Sequence, residues 1–354
     1  MSVASSWVVG GHQTDFARNT AREGVSFAEL FAENVHGTLE DAGVPAADVE
    51  VVHVGNAFGQ LFTGQGQLGA MPATVEPALW EVPAVRHEAA CASGAAAVRM
   101  AYLAVAGGVC DVALAGGVEK MTDGGPDQAT AALAGAADAL YEAEHGLSFV
   151  AINALLMQRY LHEFGYRRED FAEFAINAHR NAATNPYAMF PRRITREQYE
   201  GARPIAEPIT LLDSSSIGDG AAAVVLASAD LAARLGGPHV RVAASAAATD
   251  AVALHDRREP LFLQGMHDSA QRAYAQANIA PTDLDFFELH DAFTIMSALS
   301  LEACGFAPRG KGVALALEGE ISRQGRLPIC TLGGLKARGH PVGASGVYQI
   351  VEAV

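Results

Sequence analysis

The chain has 354 residues, half of them hydrophobic, with a formal net charge of −16 and a mean hydropathy of +0.14. That length allows two domains or one large α/β body with two cores, and the acidic balance argues against non-specific binding to nucleic acid. No apolar run approaches the ~18 residues of a membrane span, and the four cysteines, with no CxxC pair, make neither a disulfide framework nor a structural zinc site.

From the N-terminus, "MSVASSWVVGGHQTDF" lacks a basic region and a cleavage site, so no signal peptide is expected, and a soluble, reducing, cytoplasmic setting follows. "WVVGG" reads as a strand and Phe27 to Ala42 as an amphipathic helix stopped by Gly43. "VEVVHVGNA" is a second strand closed by Gly55, "PAVRHEA" a third, Ala92 to Val105 a helix and "CDVALAGG" a fourth strand. This order predicts a buried, largely parallel sheet with helices on its faces. From about Val118 to about Ile209 the rhythm breaks into helical segments without strands, which reads as an inserted cap.

"DGAAAVVLAS", Asp219 to Ser228, resumes strand character. The second half then repeats the theme: "HVRVAASAAAT" as a strand, Met266 to Asn278 as a helix, and "DLDFFELHDAF" as a strand running into a helix that ends near Gly305. "RLPICTLGG" follows as a strand and "GASGVYQIVEAV" as the start of a helix. The expected division is therefore 1–236 and 237–354. If a pseudo-dyad relates the two halves, the N-termini of their third helices face one another, just after Cys91 and just after "GHPVG".

Cys91 falls where a buried strand meets the first turn of a helix. A free cysteine is usually a small core residue, but the unpaired N–H groups at a helix start favour a thiolate and lower the thiol pKa. The same N–H groups suit an oxyanion. A cysteine nucleophile needs a base, and His340 in "LKARGHPVGASG" and His290 in "FFELHDAFT" are the candidates. Taken singly, "HD" also reads as a helix cap and "GHP" as a turn histidine. An anionic substrate needs local positive charge, for which the candidates are Arg192, Arg193, Arg196, Arg326, Lys336 and Arg338.

"CASGAAAVRMA", "AGGVEKMT", "DGAAAVVLAS", "ELHDAF" and "GGLKARGHPVGASG" resemble the thiolases in order and spacing, over essentially the whole chain. The "HDAF" spelling resembles the sterol-carrier-protein-type and archaeal-type branch. The resemblance implies an α/β fold of five layers, αβαβα, with two similar halves and an inserted loop domain. It implies a homodimer or a dimer of dimers, and a coenzyme A thioester as substrate with no resident cofactor or metal. By resemblance, Cys91 takes the acyl group as a thioester, His340 activates the thiol and His290 helps bind the thioester oxygen. His145 and Ser215 line the pantetheine channel, and Gly343 belongs to the substrate-binding turn. Archaeal-type and lyase relatives often pair with a small OB-fold, zinc-ribbon protein.

Two departures stand out. Ala292 occupies the place of the cysteine in the "HDCF" of sterol-carrier-protein-type relatives, and the family's final two strands and its "CGGG" loop have no counterpart before Val354. The C-terminal half is therefore expected to be incomplete at its end. Cys330 stands near the pocket in the pattern but reads as structural, and Cys110 and Cys304 read as core. The leading expectation is an acyl-CoA acyltransferase working by thiolysis or Claisen condensation. The alternatives are a carbon–carbon lyase of the same fold and a non-catalytic acyl-CoA-binding subunit.

Overall fold

The computed structural model describes residues 5–354. Its chain forms two compact units that interleave in sequence. One comprises the chain to Gly125, Ile217–Ser245 and His340–Val354; the other comprises Pro126–Ser216 and Ala246–Gly339.

The first unit is built on β1 (Ser6–Gln13), α1 (Phe27–Ala42), β2 (Val51–Gly55), β3 (Ala84–His87), α2 (Ser93–Ala106), β4 (Val112–Glu119), β5 (Gly220–Ser228), β6 (Val240–Val242) and α3 (Ser345–Ala353). The strands form one six-stranded sheet in the order β3-β2-β4-β5-β1-β6. β3, β2 and β4 are parallel. β5 enters antiparallel between β4 and β1, and β6 pairs antiparallel with β1 at the far edge. The sheet is thus mixed, because β5 returns from a long excursion and runs against both neighbours.

Local chemistry sets the element ends. Ser26 and Glu29 close a capping box at the start of α1, and Gly43 ends it at φ 62°; the box satisfies two otherwise orphaned amides. Leu30, Phe31, Val35 and Leu39 recur at helical spacing and pack with Val52, Val54, Leu114 and Val225 of the sheet in one buried cluster. Successive strand positions point to opposite faces. A Cβ on Gly10 would strike Ala42 of α1, whereas one on Gly11 would meet Val351 of α3, so α1 and α3 cover opposite faces. From Ala221 to Ala227, β5 is buried at every position, as expected for a strand covered on both sides.

The second unit is mainly helical, with helices Phe149–Phe164, Ala172–Ala182, Gln264–Ala277 and Thr294–Ala303 and a short ribbon of Pro204–Ala206 with Ile209–Thr210. The inserted segment is therefore helical as read, apart from that ribbon. Asn177 and Asn181 of Ala172–Ala182, and Asn185 just beyond its end, donate to the carbonyls of Ile321, Ile329, Cys330 and Leu332 at 3.0–3.3 Å. Buried Asp213 accepts from the Tyr199 hydroxyl at 2.5 Å, the Thr294 hydroxyl at 2.6 Å and both the hydroxyl and amide of Thr210.

Two expected strands are corrected. "DLDFFELHDAF" and "RLPICTLGG" form no strand, meeting only at a single parallel bridge between Phe287 and Ile329. "HVRVAASAAAT" is reduced to β6. A strand needs a ladder of partners as well as an alternating pattern, and here the segments of Phe287 and Ile329 share only that one bridge. No helix among those residues is long and apolar enough to cross a membrane.

Candidate active site

Cys91 sits in a tight elbow between β3 and α2. The turn Ala90–Ala92 is 3-10 helical, and Ala90 is held at φ 48°, a left-handed conformation that costs a residue with a Cβ about 1–2 kcal/mol. Ser93 offsets that strain by knotting the elbow. Its hydroxyl donates to the Ala90 carbonyl at 2.6 Å and accepts from the Ala89 amide at 2.9 Å. Cys91 itself is half-buried and unpaired with another cysteine.

His340 arrives from the opposite end of the sequence. It forms a parallel bridge with Ile217 just before β5, and its Nδ1 lies 2.7 Å from the hydroxyl of Ser345, the first residue of α3. The Cys91 sulfur and a ring nitrogen of His340 lie within 4.8 Å of one another. The starts of α2 and α3 meet as the pseudo-dyad predicts: a Cβ on Gly94 would fall 2.6 Å from the Gly343 carbonyl, and one on Gly346 would fall 2.8 Å from Ala95. Only glycine lets these two backbones approach so closely.

The electrostatics differ from the sequence expectation. Burial pushes the Cys91 thiol up to about 12; the Glu119 carboxylate adds to that shift, and a backbone N–H opposes it. The helix start does favour the thiolate, but exclusion of water and a like charge outweigh it. Glu119 was not singled out by the motif reading. It is fully buried at the end of β4, where burial raises its own pKa to about 7 against the pull of several backbone amides. The signal that would have found it is one carboxylate ending an otherwise apolar strand, "VALAGGVE".

In the second unit, burial pushes His290 down to about 4; the Lys336 ammonium works in the same direction and the Asp291 carboxylate against it. The imidazole is therefore neutral at pH 7. Asp291 is buried, accepts from the Leu335 amide at 2.7 Å, and its carbonyl accepts from Lys336 Nζ. Cys330 is buried at φ 48°, and its thiol is driven well above the ordinary range by burial and then by Asp291 and Glu288. Ser215 is half-buried and its amide donates to the Ala292 carbonyl at 2.8 Å. His145 ends an exposed 3-10 turn.

Of the basic candidates, Arg192 and Arg193 are exposed. Arg196 is paired with Glu173 at 2.7 Å, and Arg326 lies 3.8 Å from Glu320. Lys336 and Arg338 are buried, and Arg338 donates to the Tyr187 carbonyl, so neither is surface charge. Gly343 is buried, and its amide donates to Glu119 at 2.9 Å. Cys110 and Cys304 are buried, as read.

Two family models match the chain: the thiolase N-terminal domain over residues 6–230 and the thiolase C-terminal domain-like model over residues 246–354. An acetyl-CoA acetyltransferase of Methanothermobacter thermautotrophicus is 40% identical over 347 residues, covering 98% of this chain and 89% of that one. The benzoylsuccinyl-CoA thiolase subunit BbsB of Thauera aromatica is 33% identical, covering 86% of this chain and 77% of that one. Among solved structures, an "Ltp2-ChsH2(DUF35) aldolase" aligns with a TM-score of 0.81 at 26% identity, over 98% of this chain and 89% of that chain.

Proposed function

The chain belongs to the thiolase family, and from that premise we propose that Cys91 carries the acyl group and His340 serves as its base. The protein is an α/β enzyme of thiolase fold, a thiolase-like acyl-CoA acyltransferase. The observation that carries the assignment is the approach of the Cys91 sulfur and a His340 nitrogen to within 4.8 Å where two helices begin.

A thiol pushed up to about 12 holds almost no thiolate at neutral pH, so deprotonation must accompany attack. His340 takes the Cys91 proton as the sulfur bonds to the thioester carbonyl carbon. The carbon–sulfur bond to coenzyme A then breaks, and the departing thiolate takes the proton back from His340. Cys91 is left as a thioester. Backbone amides of the elbow stabilise the transient oxyanion. His290, neutral at pH 7, is assigned to the thioester oxygen of the second substrate. Ser215 and His145 are assigned to the pantetheine channel and Gly343 to the substrate-binding turn, with Arg192 and Arg193 available to coenzyme A phosphates. The chemistry requires no resident metal or cofactor; coenzyme A enters as substrate.

The test is intact-mass measurement after incubation with acetyl-CoA and with a longer acyl-CoA. One acyl mass mapping to Cys91, and lost in Cys91→Ser, supports the reading; label on Cys330 overturns it. A second reading, carbon–carbon cleavage of a coenzyme A thioester, is favoured by Ala292 in the "HDAF" motif and by the aldolase likeness. It predicts retro-aldol turnover that survives Cys91→Ser. We further propose a cytoplasmic homodimer or dimer of dimers. We also propose a small OB-fold, zinc-ribbon partner for this chain; the name of the similar aldolase carries a DUF35 component beside Ltp2, which supports a partner protein.

A further inference from the structure

Glu119 ends β4 with both carboxylate oxygens turned into a set of donors. Oε1 accepts from the Asn56 side chain and the Phe58 amide, each at 3.0 Å. Oε2 accepts from the Ala57 amide at 3.0 Å and the Gly343 amide at 2.9 Å. Residues 56–58 form the loop leaving β2, whereas Gly343 lies in the turn between His340 and Ser345. One side chain therefore ties a loop of the sheet to the segment that carries the base.

The reach of this tie is visible at Gly343. Its amide is held by Glu119, while its carbonyl abuts Gly94, three residues beyond Cys91, where an added Cβ would lie only 2.6 Å away. Two residues further on, Ser345 holds Nδ1 of His340 at 2.7 Å. The connection runs from Glu119 through Gly343 and Ser345 to His340, with the Cys91 elbow as the opposing wall. We propose that Glu119 is a positioning residue for acyl transfer, whose carboxylate sets the approach of His340 to Cys91. This rests on the assignment of His340 as base.

A carboxylate is the side chain this geometry demands. Four convergent donors need two oxygens that accept only; glutamine would turn an NH₂ group toward two of them. Burying a charge costs several kcal/mol unless it is fully hydrogen-bonded, so filling space alone would favour an apolar or amide residue. The ionised form also places negative charge near the Cys91 thiol, which discourages a standing thiolate and leaves deprotonation to His340.

The test is a double-mutant cycle read on iodoacetamide alkylation of Cys91, located by peptide mapping, in the full chain at fixed pH. Glu119→Asp keeps the charge but is shorter by about 1.5 Å, one carbon–carbon bond, and cannot span both loops. His340→Ala is expected to slow alkylation about tenfold or more in the native background, yet less than about twofold beside Glu119→Asp, because coupled groups are not additive. Ser345→Ala, which leaves the buried carboxylate untouched, should show the same loss of coupling and covers the case in which Glu119→Asp does not fold. An equal effect of His340→Ala in every background overturns the proposal. The cycle requires no acyl-CoA, so absence of acylation in the native protein would instead count against the acyltransferase reading.

Discussion

Gly94→Ala probes the meeting of the two helix starts directly. The new Cβ would lie 2.6 Å from the Gly343 carbonyl oxygen and 2.7 Å from Val347 Cγ2, where ordinary contact begins at 3.4 Å. About 0.8 Å must be found, and because one obstacle is backbone, the His340 segment has to move away from the Cys91 elbow. Overpacking of this kind costs about 1–3 kcal/mol, while replacing glycine by alanine within a helix returns about 1 kcal/mol. The net loss of stability is therefore small, about 0–2 kcal/mol, and melting should fall by only a few degrees. The rate should suffer far more, since a misplacement of about 1 Å can cost about 10²-fold. Burst acylation of Cys91 measured by quenched-flow mass spectrometry, beside a thermal melt, checks both numbers. Acylation within threefold of the native rate would refute the claim that this contact sets the distance between His340 and Cys91.

Three further outcomes follow from other parts of the molecule. Asp213→Ala removes the acceptor shared by Tyr199, Thr210 and Thr294 and should cost about 3–5 kcal/mol by leaving buried donors unpaired, read as a shift in the urea midpoint. His290, with its folded pKa depressed to about 4, favours the neutral ring. Its contribution to stability is present above the unfolded value of about 6.5 and is lost as pH falls toward 4. Urea midpoints of the native protein and His290→Gln should therefore differ most at pH 7 and converge near pH 4; a constant difference contradicts the assignment. Ala292→Cys should raise acetoacetyl-CoA thiolysis more than acylation, by up to the ~10²–10⁴-fold of a general acid–base group. Fast thiolysis by the native chain would show that another group already serves.

The features readable along the chain are those set by short-range physics. The span of α1 follows from Ser26, Glu29 and Gly43, whose caps involve only neighbouring backbone groups. Asn278, at φ 56°, ends the helix Gln264–Ala277 one residue from the expected stop. The elbow at Cys91 and the turn at His340 are equally local, and the two side chains their motifs single out lie within 4.8 Å of one another. Other features depend on chain segments that local pattern does not relate. β5 enters antiparallel beside β4 because of where the chain returns after the insertion. The apolar stretches around Phe287 and Ile329 carry strand patterning but form a single bridge, since a strand needs partners as well as alternation. Glu119 and Ser345 acquire their places only when residues 56–58, 119 and 343–345 converge. The Cys91 thiol shows the limit most clearly: a helix start is readable from sequence and favours the thiolate, whereas desolvation is the sum over everything that excludes water, and here it wins.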